Sequence, residues 1–237
     1  MRPWSPIPIA DCGEPLQALP PELLRLQPHP YEAAGAPYGA GACPFRLRSG
    51  VVARLLQAQA ALQAEAPQLR LAIFDGWRPL AVQRFMVEHS IAAECAARGL
   101  DPATPGPAVE AVVAEVGRFW APPSEDPATP PPHSTGAAVD LTLADAKGTP
   151  MPRGSEIDAI GAVSEPDHFR QQASSLPDGE ERSQALLWQA NRDLLRSAMQ
   201  AAGFAQHPNE WWHFSHGDQL WAWRSGERQA IYGRSGG

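Results

Sequence analysis

Behind Ser49, a residue suited to cap a helix, hydrophobic side chains recur at helical spacing: Val51, Val52, Leu55, Leu56, Ala58 and Leu62. The pattern stops near Pro67 and predicts a core-facing helix. Residues 69–74 (LRLAIF) form a short apolar run between Pro67 and Asp75-Gly76, which predicts a strand entering a turn. Pro79 is suited to open a helix that runs to Gly99, and a further helix is predicted over 107–119. In AAVDLTL (137–143), Val139, Leu141 and Leu143 alternate with Ala138, Asp140 and Thr142, the two-residue period of a strand. A long helix is predicted from about Glu180 to Ala202, its apolar stripe made of Leu186, Leu187, Ala190, Leu194, Leu195 and Met199 and its stop at Gly203. The tryptophan-rich stretches 211–216 and 219–223 are predicted as two short strands around Gly217-Asp218.

The segments between these elements lack periodicity. Residues 1–48 carry ten prolines and read as an extended arm packed over the rest; 121–132 (APPSEDPATPPP) is a loop, and 144–179 a long surface excursion. The expected architecture is α+β: one domain over 1–237, with a mostly antiparallel central sheet flanked by helices.

Composition narrows the function. A net charge of −7 and a pI near 5.5, with no block of basic residues, argue against nucleic acid and anionic membrane surfaces as partners. The start of the chain has no apolar run of signal-peptide length and no segment is apolar enough to span a bilayer, so a cytoplasmic location is expected. Cys12, Cys43 and Cys95 are odd in number and far apart, which fits reduced thiols and excludes a CxxC zinc site. A monomer and a dimer suit the sequence equally.

Two segments carry candidate chemistry. In PPPHSTGAAVDLTL (130–143), His133 ends a stiff loop and Asp140 lies on the small-residue face of the next strand. They can be metal ligands, or a His–Asp hydrogen bond closing a turn. In HPNEWWHFSHGD (207–218), His213 offers a third ligand among aromatic residues. Two histidines and a carboxylate are a common catalytic Zn²⁺ set with one position left for water, and Glu210, three residues before His213, can take that water's proton. Arg78, in Asp75-Gly-Trp-Arg-Pro at the end of a strand, can steady an oxyanion or simply pair with Asp75. His216 falls on the face opposite His213, a second-row or surface position.

Taken together, IFDGWRP (73–79), HSTGAAVDLTL (133–143), MPRGSEID (151–158) and NRDLLRSAMQAAGF…EWWHFSHGDQLWAW (191–223) resemble the zinc D-alanyl-D-alanine dipeptidases, including those of vancomycin resistance. The resemblance implies an α+β fold shared with zinc D,D-carboxypeptidases and the hedgehog signalling domain. It implies one Zn²⁺ on His133, Asp140 and His213, Glu210 as catalytic base and then acid, Arg78 at the tetrahedral intermediate, and Asp158 as the carboxylate that receives the substrate's ammonium group. The substrate implied is a small peptide, D-Ala-D-Ala or a related dipeptide, in cell-wall peptidoglycan chemistry. Ile157 stands where the family usually has Phe, and Pro131 where it often has serine. The tyrosine expected in the early arm has no counterpart in register: Gln27 falls near its place and Tyr31 is displaced.

Three rivals remain at this level: a D,D- or L,D-carboxypeptidase acting on peptidoglycan peptides, a non-catalytic zinc-stabilised binding module, and a non-haem Fe(II) oxygenase. The oxygenase commonly places His-x-Asp on one strand, whereas six residues separate His133 from Asp140. A binding module needs neither Glu210 nor Arg78.

Overall fold

The computed structural model describes residues 2–39 and 42–236. In chain order the elements are β1 (Leu16–Ala18), β2 (Leu24–Arg25), α1 (Pro30–Ala33), β3 (Arg46–Arg48), α2 (Ser49–Glu65), β4 (Leu69–Asp75), α3 (Leu80–Ala97) and α4 (Pro107–Phe119). They continue with β5 (Ala138–Asp145), α5 (His168–Ser175), α6 (Glu180–Ala201), β6 (Ala205–Gln206), β7 (His213–Ser215) and α7 (Gln219–Ser225). The fold is α+β. Its main sheet has five strands in the order β2-β4-β5-β7-β6, antiparallel except for the β2–β4 pair.

Alternation along the strands decides which face meets which helices. Leu71 and Ile73 of β4, and Val139, Leu141 and Leu143 of β5, share a buried cluster with Val51, Leu55 and Leu62 of α2 and with Leu195 and Met199 of α6. Fully burying an aliphatic side chain of this size stabilises the fold by roughly 1.5–3 kcal/mol, so this cluster anchors the sheet. A second cluster joins Tyr31 to Val82 and Met86 of α3, to Val112 and Val116 of α4, and to Phe119 and Trp120. The intervening sheet face carries Asp75, Asp140 and His213. These three form one row, because Asp75 is in register with Asp140, and Asp140 with His213.

Several expectations change. The second tryptophan-rich stretch is helix α7, not a strand: Asp218 Oδ1 accepts the Trp221 N–H at 2.8 Å, and Gly226 closes the helix in the left-handed region at φ 72°. β7 pairs instead with β5 and β6. Leu186 and Leu187 of α6 are exposed, since the buried stripe runs through Ala185, Gln189, Arg192 and Leu195. Ser49 is the first residue of α2 rather than its cap, and Glu14 of the arm fills that role by accepting the Gly50 N–H at 2.7 Å. The excursion over 144–179 contains helix α5. The arm is extended for much of its length, yet β2 adds the one parallel strand to the sheet edge, and β1 pairs with β3.

Candidate active site

Local structure aims each ligand candidate. His133 lies in a helical turn over Pro132–Thr135 that ends at Gly136, whose φ of 72° belongs to glycine and where any Cβ would strike Leu16. The His133 Nδ1–H donates to the Gly76 carbonyl at 2.7 Å, leaving Nε2 to face inward. His213, on β7, turns Nε2 toward Ser215 Oγ at 3.3 Å, and Ser215 in turn donates to Asp218 Oδ2 at 2.8 Å. With the serine proton committed to Asp218, His213 Nε2 is the donor and Nδ1 keeps its lone pair.

The two unprotonated nitrogens then face each other at 3.2 Å and cannot hydrogen-bond. Asp140 completes the cluster, with Oδ2 3.2 Å from His133 Nε2 and Oδ1 3.1 Å from His213 Nδ1. Its Oδ1 is buried and has no hydrogen-bond partner. Four-coordinate zinc with bonds of about 2.0–2.1 Å has ligand atoms about 3.3–3.5 Å apart, close to these separations. One donor atom from each of His133, Asp140 and His213 lies within 4.8 Å of the others, so the residues present fit a divalent cation.

Around this cluster stand Glu210, Arg78 and Asp158. Glu210 Oε2 is 3.6 Å from His213 Nδ1 and Oε1 is 3.2 Å from His207 Nδ1. Burial, then the Asp140 charge, pushes the Glu210 carboxyl well above its ordinary range. Arg78 makes the ion pair with Asp75 that was one of its two readings. It donates to Asp75 Oδ2 through Nε at 3.0 Å and Nη2 at 2.7 Å, yet Nη2 also reaches to 3.4 Å from Asp140 Oδ2. The guanidinium lies 4.9 Å from the centres of both the Tyr31 and Trp120 rings.

Asp158 is held at φ 65°, a left-handed conformation rare for a residue with a side chain. Burial, then Asp140, pushes its carboxyl up to about 7, against a hydrogen bond from Tyr31 at 2.7 Å. Tyr31, out of register in the sequence, therefore does reach the site, and it also accepts from Arg78 Nη2 at 3.2 Å. His133, Asp140, Arg78, Asp158, Glu210 and His213 all line one cavity.

Sequence reasoning missed Ser215 and Asp218, and also Arg2, which lines the same cavity. The Asp218-x-x-Trp221 capping pattern was a usable signal for Asp218; Arg2, in a proline-broken segment, offered none. His216 is buried against Phe204 and Trp221, so the surface alternative for it is excluded.

The family described as D-ala-D-ala dipeptidase (Peptidase_M15) matches residues 25–231. The chain is 44% identical over 242 residues to a D-alanyl-D-alanine dipeptidase of Synechocystis sp., covering 99% of this chain and 97% of that one. It is 35% identical over 82 residues to the D-alanyl-D-alanine dipeptidase of Escherichia coli, 35% of this chain and 36% of the relative. A distant likeness, with TM-score 0.41 and 15% identity, covers 94% of this chain and 96% of a vancomycin-resistance D,D-pentapeptidase, VanY, in complex with Zn(II). The match over 25–231 and the near full-length identity place the chain in the D-ala-D-ala dipeptidase family of peptidases.

Proposed function

We propose that this chain is a zinc-dependent dipeptidase that hydrolyses D-Ala-D-Ala or a closely related dipeptide. One observation carries the reading: two histidine nitrogens bearing lone pairs and a carboxylate oxygen without a partner converge beside Glu210. His133, Asp140 and His213 hold the ion. The chemistry zinc supplies when bound is acidification of water and polarisation of a carbonyl.

The chain's own residues do the rest. Glu210, buried beside the cluster, takes the proton of the attacking water and returns it to the departing amine. Arg78 is pre-aimed by Asp75 and Gln83, and steadies the oxyanion that forms on the attacked carbonyl. Asp158 receives the substrate's free ammonium group. Trp212 and Trp120, which line the cavity, exclude water and so strengthen each of these charge interactions.

We read residues 1–237 as one working unit, because Tyr31 from the arm meets both Arg78 and Asp158. The unpaired Cys12, Cys43 and Cys95 support a reducing, cytoplasmic setting. No helix among the described residues is long and apolar enough to cross a membrane.

The test is a stereochemically varied dipeptide panel with its N-acetylated counterparts, run on protein of measured zinc content. Cleavage of D-Ala-D-Ala, lost on acetylation and lost in Glu210→Ala with zinc retained, is the expected result. Undiminished cleavage of acetylated peptides turns the assignment toward a carboxypeptidase. Full zinc loading with no cleavage of any member turns it toward a binding module.

A further inference from the structure

A zwitterionic dipeptide brings a carboxylate as well as an ammonium group, and the residues assigned so far leave the carboxylate unmet. Arg78 is already assigned: Asp75, Gln83 and Tyr31 fix its guanidinium beside Asp140, where it serves the oxyanion rather than the carboxylate. Pro131, beside the ligand loop, has no side-chain donor. The other cation lining the cavity is Arg2.

The start of the chain folds back to bring it there. Trp4 is buried edge-on against His207, with ring centres 5.6 Å apart, and tilted against Trp223 at 5.4 Å. Gln219 fastens the same segment by donating to the carbonyls of Ser5 at 3.2 Å and Ile7 at 2.6 Å. The Arg2 guanidinium lies 5.4 Å from the Trp4 ring, donates to the Gly117 carbonyl at 3.2 Å and approaches His207 Nε2 at 3.4 Å. These partners are neutral. Among the described residues no carboxylate pairs with it directly, and Glu210 is the acidic group that acts on it from beyond His207.

A half-buried cation with neutral partners, facing a catalytic cavity, is a site for an anion. Arg2 also lines the neighbouring groove with Pro122, Pro130 and Pro131, so it stands on the border between the two. We propose that Arg2 receives the free carboxylate of the dipeptide and, opposite in charge to Asp158, limits the site to substrates of two residues. This rests on the dipeptidase reading. A longer peptide has no carboxylate at that distance and must displace the Arg2–Trp4 segment.

The experiment compares the wild type with Arg2→Gln and Arg2→Lys on D-Ala-D-Ala, its C-terminal amide and tri-D-alanine. Steady-state kinetics are paired with calorimetric binding of the same compounds in the Glu210→Gln background. With Arg2 present, the free dipeptide is expected to bind on the order of 10- to 100-fold more tightly than its amide. Arg2→Gln removes that gap and raises KM by a similar factor, with the loss concentrated in KM rather than kcat; Arg2→Lys restores part of it. An unchanged preference for the free carboxylate in Arg2→Gln overturns the proposal. If wild-type protein binds the free dipeptide in an Arg2-dependent way without cleaving it, the dipeptidase reading fails while Arg2 keeps its role. Absence of both binding and cleavage overturns the two together.

Discussion

The hydroxyl of Tyr31 donates to Asp158 Oδ2 across 2.7 Å, joining the N-terminal arm to the excursion that follows β5. The same oxygen accepts from Arg78, so a single phenol orients the proposed ammonium anchor and the proposed oxyanion donor. Removing it leaves two charged groups short of a partner. Tyr31→Phe is expected to raise KM for D-Ala-D-Ala about tenfold or more and to lower kcat as well, since a hydrogen bond to a charged group contributes about 1.5–3 kcal/mol. Steady-state kinetics check it; an effect on thermal stability alone would make the tyrosine a packing residue.

The chain His213–Ser215–Asp218 sets which imidazole nitrogen faces the cluster. Ser215→Ala and Asp218→Asn are expected to weaken zinc binding by about 10- to 100-fold, the usual cost of losing an outer partner of a ligating histidine. Single alanine replacements of His133, Asp140 or His213 should abolish stoichiometric zinc. Competition with a chromogenic chelator measures all five variants without recourse to activity.

Arg192 binds the excursion to α6. It donates to the carbonyls of Arg153, Glu165 and Val163 and to Ser155 Oγ, at 2.9 to 3.1 Å, and lies over Phe169 and Trp211. Its charge is offset by dipoles and rings rather than a carboxylate, and burial pulls its pKa down to about 9. Arg192→Met vacates four acceptors and should cost about 3–5 kcal/mol, seen as a lower midpoint in urea. Because Asp158 sits between the anchored residues, the variant should also lose discrimination against N-acetylated dipeptide.

His216 supplies a pH dependence away from the metal cluster. Burial, then Arg54, lowers its pKa from 6.5 to about 4, and its Nδ1 has no partner. Between those values the unfolded chain binds a proton that the folded chain refuses. The stability from neutral His216 is therefore complete above about pH 6.5 and is lost as the pH falls toward 4. The loss is on the order of 2 kcal/mol after solvent screening. Thermal melts should show a shallower decline over this window in His216→Phe than in the wild type; parallel declines would remove His216 as the cause.

Much of this protein is legible in one dimension because its strongest signals are local. The bounds of α4, the strands around 69–75 and 138–145, and the long helix from Glu180 follow from side-chain periodicity, which a strand or helix imposes on its own residues. His133, Asp140 and His213 stand out because a cation needs those donor types, and Glu210 because it lies three residues before His213; short spacing on one strand or turn restricts where they point. Tryptophan's preference for strands misled the reading of α7, where an aspartate cap outweighs a weak propensity.

What the folded chain alone decides is which distant groups share a volume. The sheet register aligns Asp75, Asp140 and His213 in one row, and the arm crosses the molecule to place Arg2 on the cavity and Tyr31 against its Arg78 and Asp158. Residues in an arm without periodicity carry no local sign of their destination: long-range packing, here Trp4 on His207 and Tyr31 on Trp120, sets where they land. The donor chemistry was written along the chain, whereas the tautomers, the committed and uncommitted arginines and the reach of the arm depend on contacts between residues far apart in it.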